Sequence, residues 1–136
     1  VILVYAPEGA EEPTRFTYNP RKLMSAEREM LERRTSRNFS KFTTDVLEGN
    51  SQCRRALLFL FLKRQHPGVK YEDVDFAWDE LQLEYSKSEY LQMREGMLTA
   101  LTGDQLAIAL EQIDKEIETA YDDSADEGKA GLPIAA

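Results

Sequence analysis

The sequence predicts a mainly α-helical fold: a small helical bundle around a central apolar helix at about residues 53–65, with a short N-terminal β-hairpin packed on it and a flexible acidic C-terminal tail. Three observations predict it. Ala56–Leu62 is apolar at every position, the mark of a helix buried on all sides. Flanking segments repeat apolar residues at steps of three and four, the helical period. Two short β-branched or aromatic runs flank a turn-rich loop near the start of the chain. With 136 residues, the chain is long enough to bury a core without disulfide or metal staples.

Val1–Ala6 and Thr14–Tyr18 read as the two strands, joined by a loop rich in Pro, Gly and acids between Pro7 and Pro13. A lone hairpin is marginal in water, so this one must pack on helices. Asn19-Pro20 ends it, because proline cannot continue a ladder. A helix is expected from Ser25, as N-cap, to about Arg34, with Met30 and Leu31 inward and Glu27 and Glu29 in its first turn. Asn38–Leu47 has helical spacing at Phe39, Phe42, Val46 and Leu47, and Gly49 supplies the stop. Ser51 opens the central helix, which Pro67-Gly68 closes.

Val69, Tyr71 and Val74 are expected to dock a connection onto that helix. A further helix is expected from Phe76 or Trp78 to about Thr99, with Trp78, Leu81, Tyr85, Leu91 and Met97 or Leu98 in apolar contact. Its spacing slips near Ser86–Ser88, which marks a break between two helices as the alternative. Thr102 and Gln105 match a capping box. The helix after them carries one narrow apolar stripe: Leu106, Leu110, Ile113, Ile117 and Tyr121. Such a helix belongs on the surface of the bundle or against one partner helix. The expected organisation is residues 1–24 as the hairpin segment, 25–121 as the helical domain and 122–136 as a flexible acidic tail.

Acids number 25 and bases 17, for a net charge of -8. The charge is divided along the chain. Pro20–His66 carries 11 bases and 5 acids, whereas Glu72–Glu127 carries 17 acids and 3 bases. Two readings follow. The halves attract each other within the fold, or they serve head-to-tail self-association or an acidic partner.

One cysteine, Cys53, and one histidine, His66, leave no disulfide framework and no His- or Cys-rich metal site. Cys53 reads as a small core residue, and His66 as a partner of a helix C-terminal dipole. The acids Glu72, Asp73, Asp75, Asp79 and Glu80 read as complements of a helix N-terminus, not as a metal or carboxylate site. Phosphate-loop, zincin, nucleophile-elbow and EF-hand patterns are all missing. No nucleophile, base and orienter can be named together, so the expectation is a non-enzyme with no cofactor, no metal and no catalytic residue. Arg54-Arg55 and Lys63-Arg64 bracket the central helix, but overall charge opposes nucleic-acid binding. The apolar run is too short for a membrane span. The apolar start is too short for a secretory h-region, so a cytoplasmic protein is expected.

What remains is burial of another protein's apolar surface. The candidate partner-binding residues, chosen on hydrophobicity, are Leu57, Phe59, Phe61, Phe76 and Trp78.

Phe16–Leu83 resembles the tail assembly chaperones of long-tailed, siphovirus-type bacteriophages, particularly those of actinobacterial phages. The resemblance lies in the order of features. A strand-like start is followed by Ala26-Glu27-Arg28-Glu29-Met30-Leu31-Glu32-Arg33-Arg34-Thr35 and by Asn38-Phe39-Ser40-Lys41-Phe42. Leu47-Glu48-Gly49-Asn50 then leads into Ala56-Leu57-Leu58-Phe59-Leu60-Phe61-Leu62-Lys63-Arg64, and His66-Pro67 precedes Tyr71-Glu72-Asp73-Val74-Asp75-Phe76. About half of the chain is covered, and the acidic second half matches only in general character.

The resemblance implies a non-catalytic helical protein that binds and solubilises the tape measure protein during tail morphogenesis. It acts in the host cell cytoplasm and is absent from the mature virion. It further implies a longer form, made by programmed ribosomal frameshifting, that recruits tail tube subunits; Gly128-Lys129 is where slippery codons would fit. A homo-oligomer is compatible with this reading. Two alternatives stand beside it: a structural or connector protein of a phage tail or neck, and a small nucleic-acid-binding regulator.

Overall fold

The computed structural model describes residues 1–124. Among them the chain forms three strands and five α-helices. The strands are β1 (Ile2–Tyr5), β2 (Thr14–Thr17) and β3 (Leu81–Glu84). They make one antiparallel sheet in the order β2-β1-β3. The helices are α1 (Ser25–Thr35), α2 (Phe39–Glu48), α3 (Ser51–Gln65), α4 (Lys87–Ala100) and α5 (Gly103–Thr119). The fold is thus mainly helical with a small N-terminal sheet, as the sequence predicts.

The central helix is α3. Every residue from Ala56 to Phe61 is buried. Full burial of a Leu or Phe side chain contributes about 2 kcal/mol, so this turn and a half of helix dominates the stability of the core. Leu31 from α1 and Phe42 and Val46 from α2 pack around it, as do Leu3, Phe16 and Leu81 from the inner face of the sheet. Phe16 stacks on Phe61 with ring centroids 5.3 Å apart. Val69, Tyr71 and Val74 dock the following connection on the same core, as expected. Cys53 is a buried core residue.

Local signals set the helix boundaries. The Asn38 side chain accepts from the Lys41 N–H at 3.1 Å and starts α2. The Asn50 side chain accepts from the Cys53 N–H at 3.0 Å and starts α3. Between them Gly49 adopts φ 95°, where side chains are strained, and its N–H returns to the Val46 carbonyl at 3.2 Å. The expected cap of α1 is displaced by one residue. Met24 holds the cap position, Ser25 is already helical, and the Glu27 carboxylate accepts from the Met24 N–H at 3.0 Å. Thr102 does precede α5, but its side chain makes no capping bond.

The largest correction lies between Phe76 and Glu84. No helix begins there. A short 3-10 turn at Trp78–Glu80 leads into β3. Leu81 and Leu83 alternate with Gln82 and Glu84, a period of two, and β1 offers an open edge that only a strand can satisfy. The helix begins at the spacing slip, with Ser86 as N-cap: its N–H donates to Glu89 Oε1 at 2.9 Å, and its Oγ accepts from the Glu89 N–H at 3.3 Å. The sheet therefore takes its third strand from inside residues 25–121, and hairpin segment and helical segment share one core.

α4 and α5 pack against each other as an antiparallel pair. The stripe Leu106, Leu110, Ile113, Ile117 and Tyr121 is the less exposed side of α5 and its extension, and Ile113 is its buried centre. The pair is closed at its base. The Lys87 N–H donates to the Tyr121 carbonyl at 2.8 Å, and the Ser88 N–H donates to Asp123 Oδ1 at 3.1 Å. Asp123 is buried, so residue 123, expected within the tail, is held against the start of α4. Residues 125–136 of that tail lie outside the described residues.

Candidate functional site

Three of the five sequence-predicted contact residues belong to the core. Leu57, Phe59 and Phe61 are all buried on α3, and the two phenylalanine rings are covered by cations from α1 and from the end of α3. The Arg34 guanidinium lies 4.1 Å from the Tyr71 ring centre and 4.8 Å from that of Phe59. Arg64 covers Phe61 at 5.2 Å and is held by Glu27 through bonds of 2.9 and 2.8 Å. That pairing keeps the Glu27 carboxyl below the usual carboxylate range. Arg55 lies over Tyr71 and donates to the Val74 carbonyl at 2.6 Å and the Tyr71 carbonyl at 3.1 Å. These cations act as lids and carbonyl partners within the fold. A helix apolar on every side is where core and contact residues look alike in sequence.

Phe76 is partly buried against the core. Trp78 is different: 67% of it is exposed. Its ring rests on the backbone of Gly49 and faces the Arg54 guanidinium at 5.0 Å. The exposed residues Leu47 and Tyr85 line the same cleft, about 360 Å³, which runs along β3. Exposed Trp and Tyr beside Arg are the residue types that dominate protein contacts.

The second apolar surface is the α4–α5 pair. Ile113 is the one buried residue on the two helices. Leu91, Met93 and Leu98 on α4 and Ile108 on α5 are all large, apolar and exposed, Leu98 at 49% and Ile108 at 59%. Leu91 and Leu98, seven residues apart, share one flank of α4. Around them the two helices carry seven acids and three bases. Two of the bases are engaged inside the pair, Arg94 with Asp114 at 2.8 Å and Lys115 with Glu111 at 3.8 Å. The sequence signal was present, since Leu91 and Leu98 stand out as apolar, but their periodicity suggests burial; the structure leaves that flank uncovered.

The charge halves do not neutralise each other by contact. Among the described residues, Arg37 and Lys41 pair with Asp45 and Arg64 pairs with Glu27, within the basic half. The ion pairs of Arg94 and Lys115 lie within the acidic half. No ion pair among the described residues joins Pro20–His66 to Glu72–Glu127.

Among the described residues, no three His, Cys, Asp or Glu side chains converge as metal ligands, and no helix is long and apolar enough to cross a membrane. His66 is exposed at the end of α3, where its N–H donates to the Leu62 carbonyl at 2.8 Å. No protein-family model, curated protein or solved structure matches the chain.

Proposed function

We propose that this protein is a phage tail assembly chaperone that binds and solubilises the tape measure protein, without catalysis, in the host cell cytoplasm. The observation that carries the reading is the α4–α5 pair, which leaves Leu91, Met93, Leu98 and Ile108 exposed within an acidic surround. It joins the resemblance of Phe16–Leu83 to that family.

The mechanism follows from the surface. Apolar side chains on one helical flank cover apolar stretches of a long helical client, which would otherwise associate with one another. The surrounding carboxylates give the coated client a net negative charge and keep coated chains apart. Each patch is small, so each contact is weak. Many copies along one client bind by summed contacts and leave one at a time as the tube closes. A longer form that continues past Gly128-Lys129 recruits tail tube subunits to the coated client.

The test is co-expression with the tape measure protein encoded beside the gene. The expected result is a soluble complex that co-purifies, and purified virions that lack the chaperone by mass spectrometry. The double substitution Leu91→Ser with Leu98→Ser leaves the thermal melt within a few degrees, because both side chains are exposed, and abolishes co-purification. A variant that still binds and solubilises the client rules out this surface. Presence of the chain in finished virions rules out the assembly-only role and favours a structural connector.

A further inference from the structure

The two edges of the α4–α5 seam differ, and side-chain contacts between the helices mark them. Asp114 accepts from Arg94 at 2.8 Å on one edge, and Glu116 accepts from the Tyr90 hydroxyl at 3.4 Å on the other. Helical spacing then assigns the neighbours. Leu91 and Leu98, three residues before and four after Arg94, flank it on its edge of α4. Glu111 and Glu118, three before and four after Asp114, continue the same edge on α5. Because the helices run antiparallel, Glu118 lies at the level of Leu91 and Glu111 at that of Leu98. Met93, three residues after Tyr90, falls on the opposite edge, and Ile108 on the side of α5 away from α4. One edge alone therefore sets a row of leucines beside a row of glutamates, and all four side chains are exposed. At its centre Arg94 and Asp114 neutralise each other. Glu118 has no ion-pair partner among the described residues, and Glu111 has Lys115 at 3.8 Å.

We infer that this edge takes a basic amphipathic helix of the client, laid along the seam as a third helix. Its apolar row packs on Leu91 and Leu98. Lysines or arginines on the adjoining row meet Glu118 and Glu111. The spacing required on each row is that of the edge itself, about 10 Å or two helical turns. Charge selects the occupant. A second copy offering the same edge sets carboxylates against carboxylates. Anionic lipid and nucleic acid are repelled likewise. An apolar helix without bases covers the leucines and gains nothing from the glutamate row. The inference rests on the chaperone reading for the client, and it narrows that client's binding segments from any apolar stretch to helices with a basic row.

The probe is a synthetic peptide of about five helical turns, with leucines along one face and lysines on the rows beside them. It is titrated into the full chain at physiological ionic strength and followed by fluorescence anisotropy. The lysine peptide is expected to bind, and a peptide with glutamate in place of every lysine to bind about tenfold more weakly or worse. Glu118→Lys weakens binding of the lysine peptide about tenfold. Glu116→Lys is the same charge change two residues away on the opposite edge, and it leaves binding within about twofold. Both side chains are exposed, and circular dichroism checks that both variants fold. Leu91→Ser with Leu98→Ser abolishes binding. Equal weakening by Glu118→Lys and Glu116→Lys, equal binding of the two peptides, or no binding of the lysine peptide at millimolar concentration overturns the inference. Co-expression with the tape measure protein separates it from the reading it rests on. Co-purification that Glu118→Lys leaves intact overturns the basic-helix inference and keeps the chaperone reading. Edge-specific peptide binding without co-purification keeps the recognition site and overturns the chaperone reading.

Discussion

Gly49→Ala tests how a turn, a helix end and an exposed aromatic are coupled. Two costs can be worked from the structure. Gly49 sits at φ 95°, and a side chain there costs about 1 kcal/mol. A Cβ would also lie 2.7 Å from Trp78 Cη2 and 3.3 Å from Cζ3. That ring is largely exposed, so it swings away instead of straining the core. Doing so breaks its contact with Arg54, at 5.0 Å, for another 0.5–1 kcal/mol or so. The total is about 2 kcal/mol, a fall in Tm of about 8 °C for a domain of this size. Trp78 is the sole tryptophan, so its emission reports the displacement directly. Denaturant unfolding of Gly49→Ala in the native and Trp78→Ala backgrounds separates the terms. The cost should fall to about 1 kcal/mol once the ring is gone. Equal costs in both backgrounds, or an unchanged emission spectrum in the single variant, would refute the coupling.

Two further outcomes rest on buried polar groups. The Tyr18 hydroxyl is buried and has no hydrogen-bond partner among the described residues, and burial, with the nearby Cys53 adding, pushes its pKa up to about 12. Tyr18→Phe is therefore neutral or stabilising by about 1 kcal/mol in urea melts near pH 7. Between pH 10 and 12 the unfolded phenol loses its proton while the folded one keeps it, so native stability declines with rising pH, and the variant should lose that part of the decline. For Asp123, burial pushes the carboxyl upward, but bonds from Ser88 and Ser86 outweigh it and hold the group below the usual carboxylate range. Its contribution is present above the unfolded pKa of about 3.9 and lost as pH falls through the folded value. Asp123→Asn should cost about 1 kcal/mol at pH 6 and progressively less as pH falls below the unfolded pKa, read from amide exchange at the base of α4 and α5; a loss that does not change with pH would refute the bonding.

Much of the fold was legible in the sequence because it is local. The all-apolar run Ala56–Leu62 can only be a core helix. Gly49 and Pro67 mark helix ends through their own backbone chemistry, and the Pro- and Gly-rich loop marks the hairpin. The surface was harder to read. Leu57 and Leu98 are the same residue type on helices, yet one is central and the other half exposed, since exposure depends on what a distant segment covers. Leu81–Glu84 is a strand because β1, far away in sequence, lacks a partner on that side; four residues of alternation carry too little signal alone. Asp123 is anchored because α5 returns it to the start of α4. The sequence by itself determined a helical protein with a buried central helix and an acidic second half. Only the tertiary structure decided which apolar residues stay outside, which sheet edge stays open and which cations are already engaged, because those depend on the spatial meeting of segments far apart along the chain.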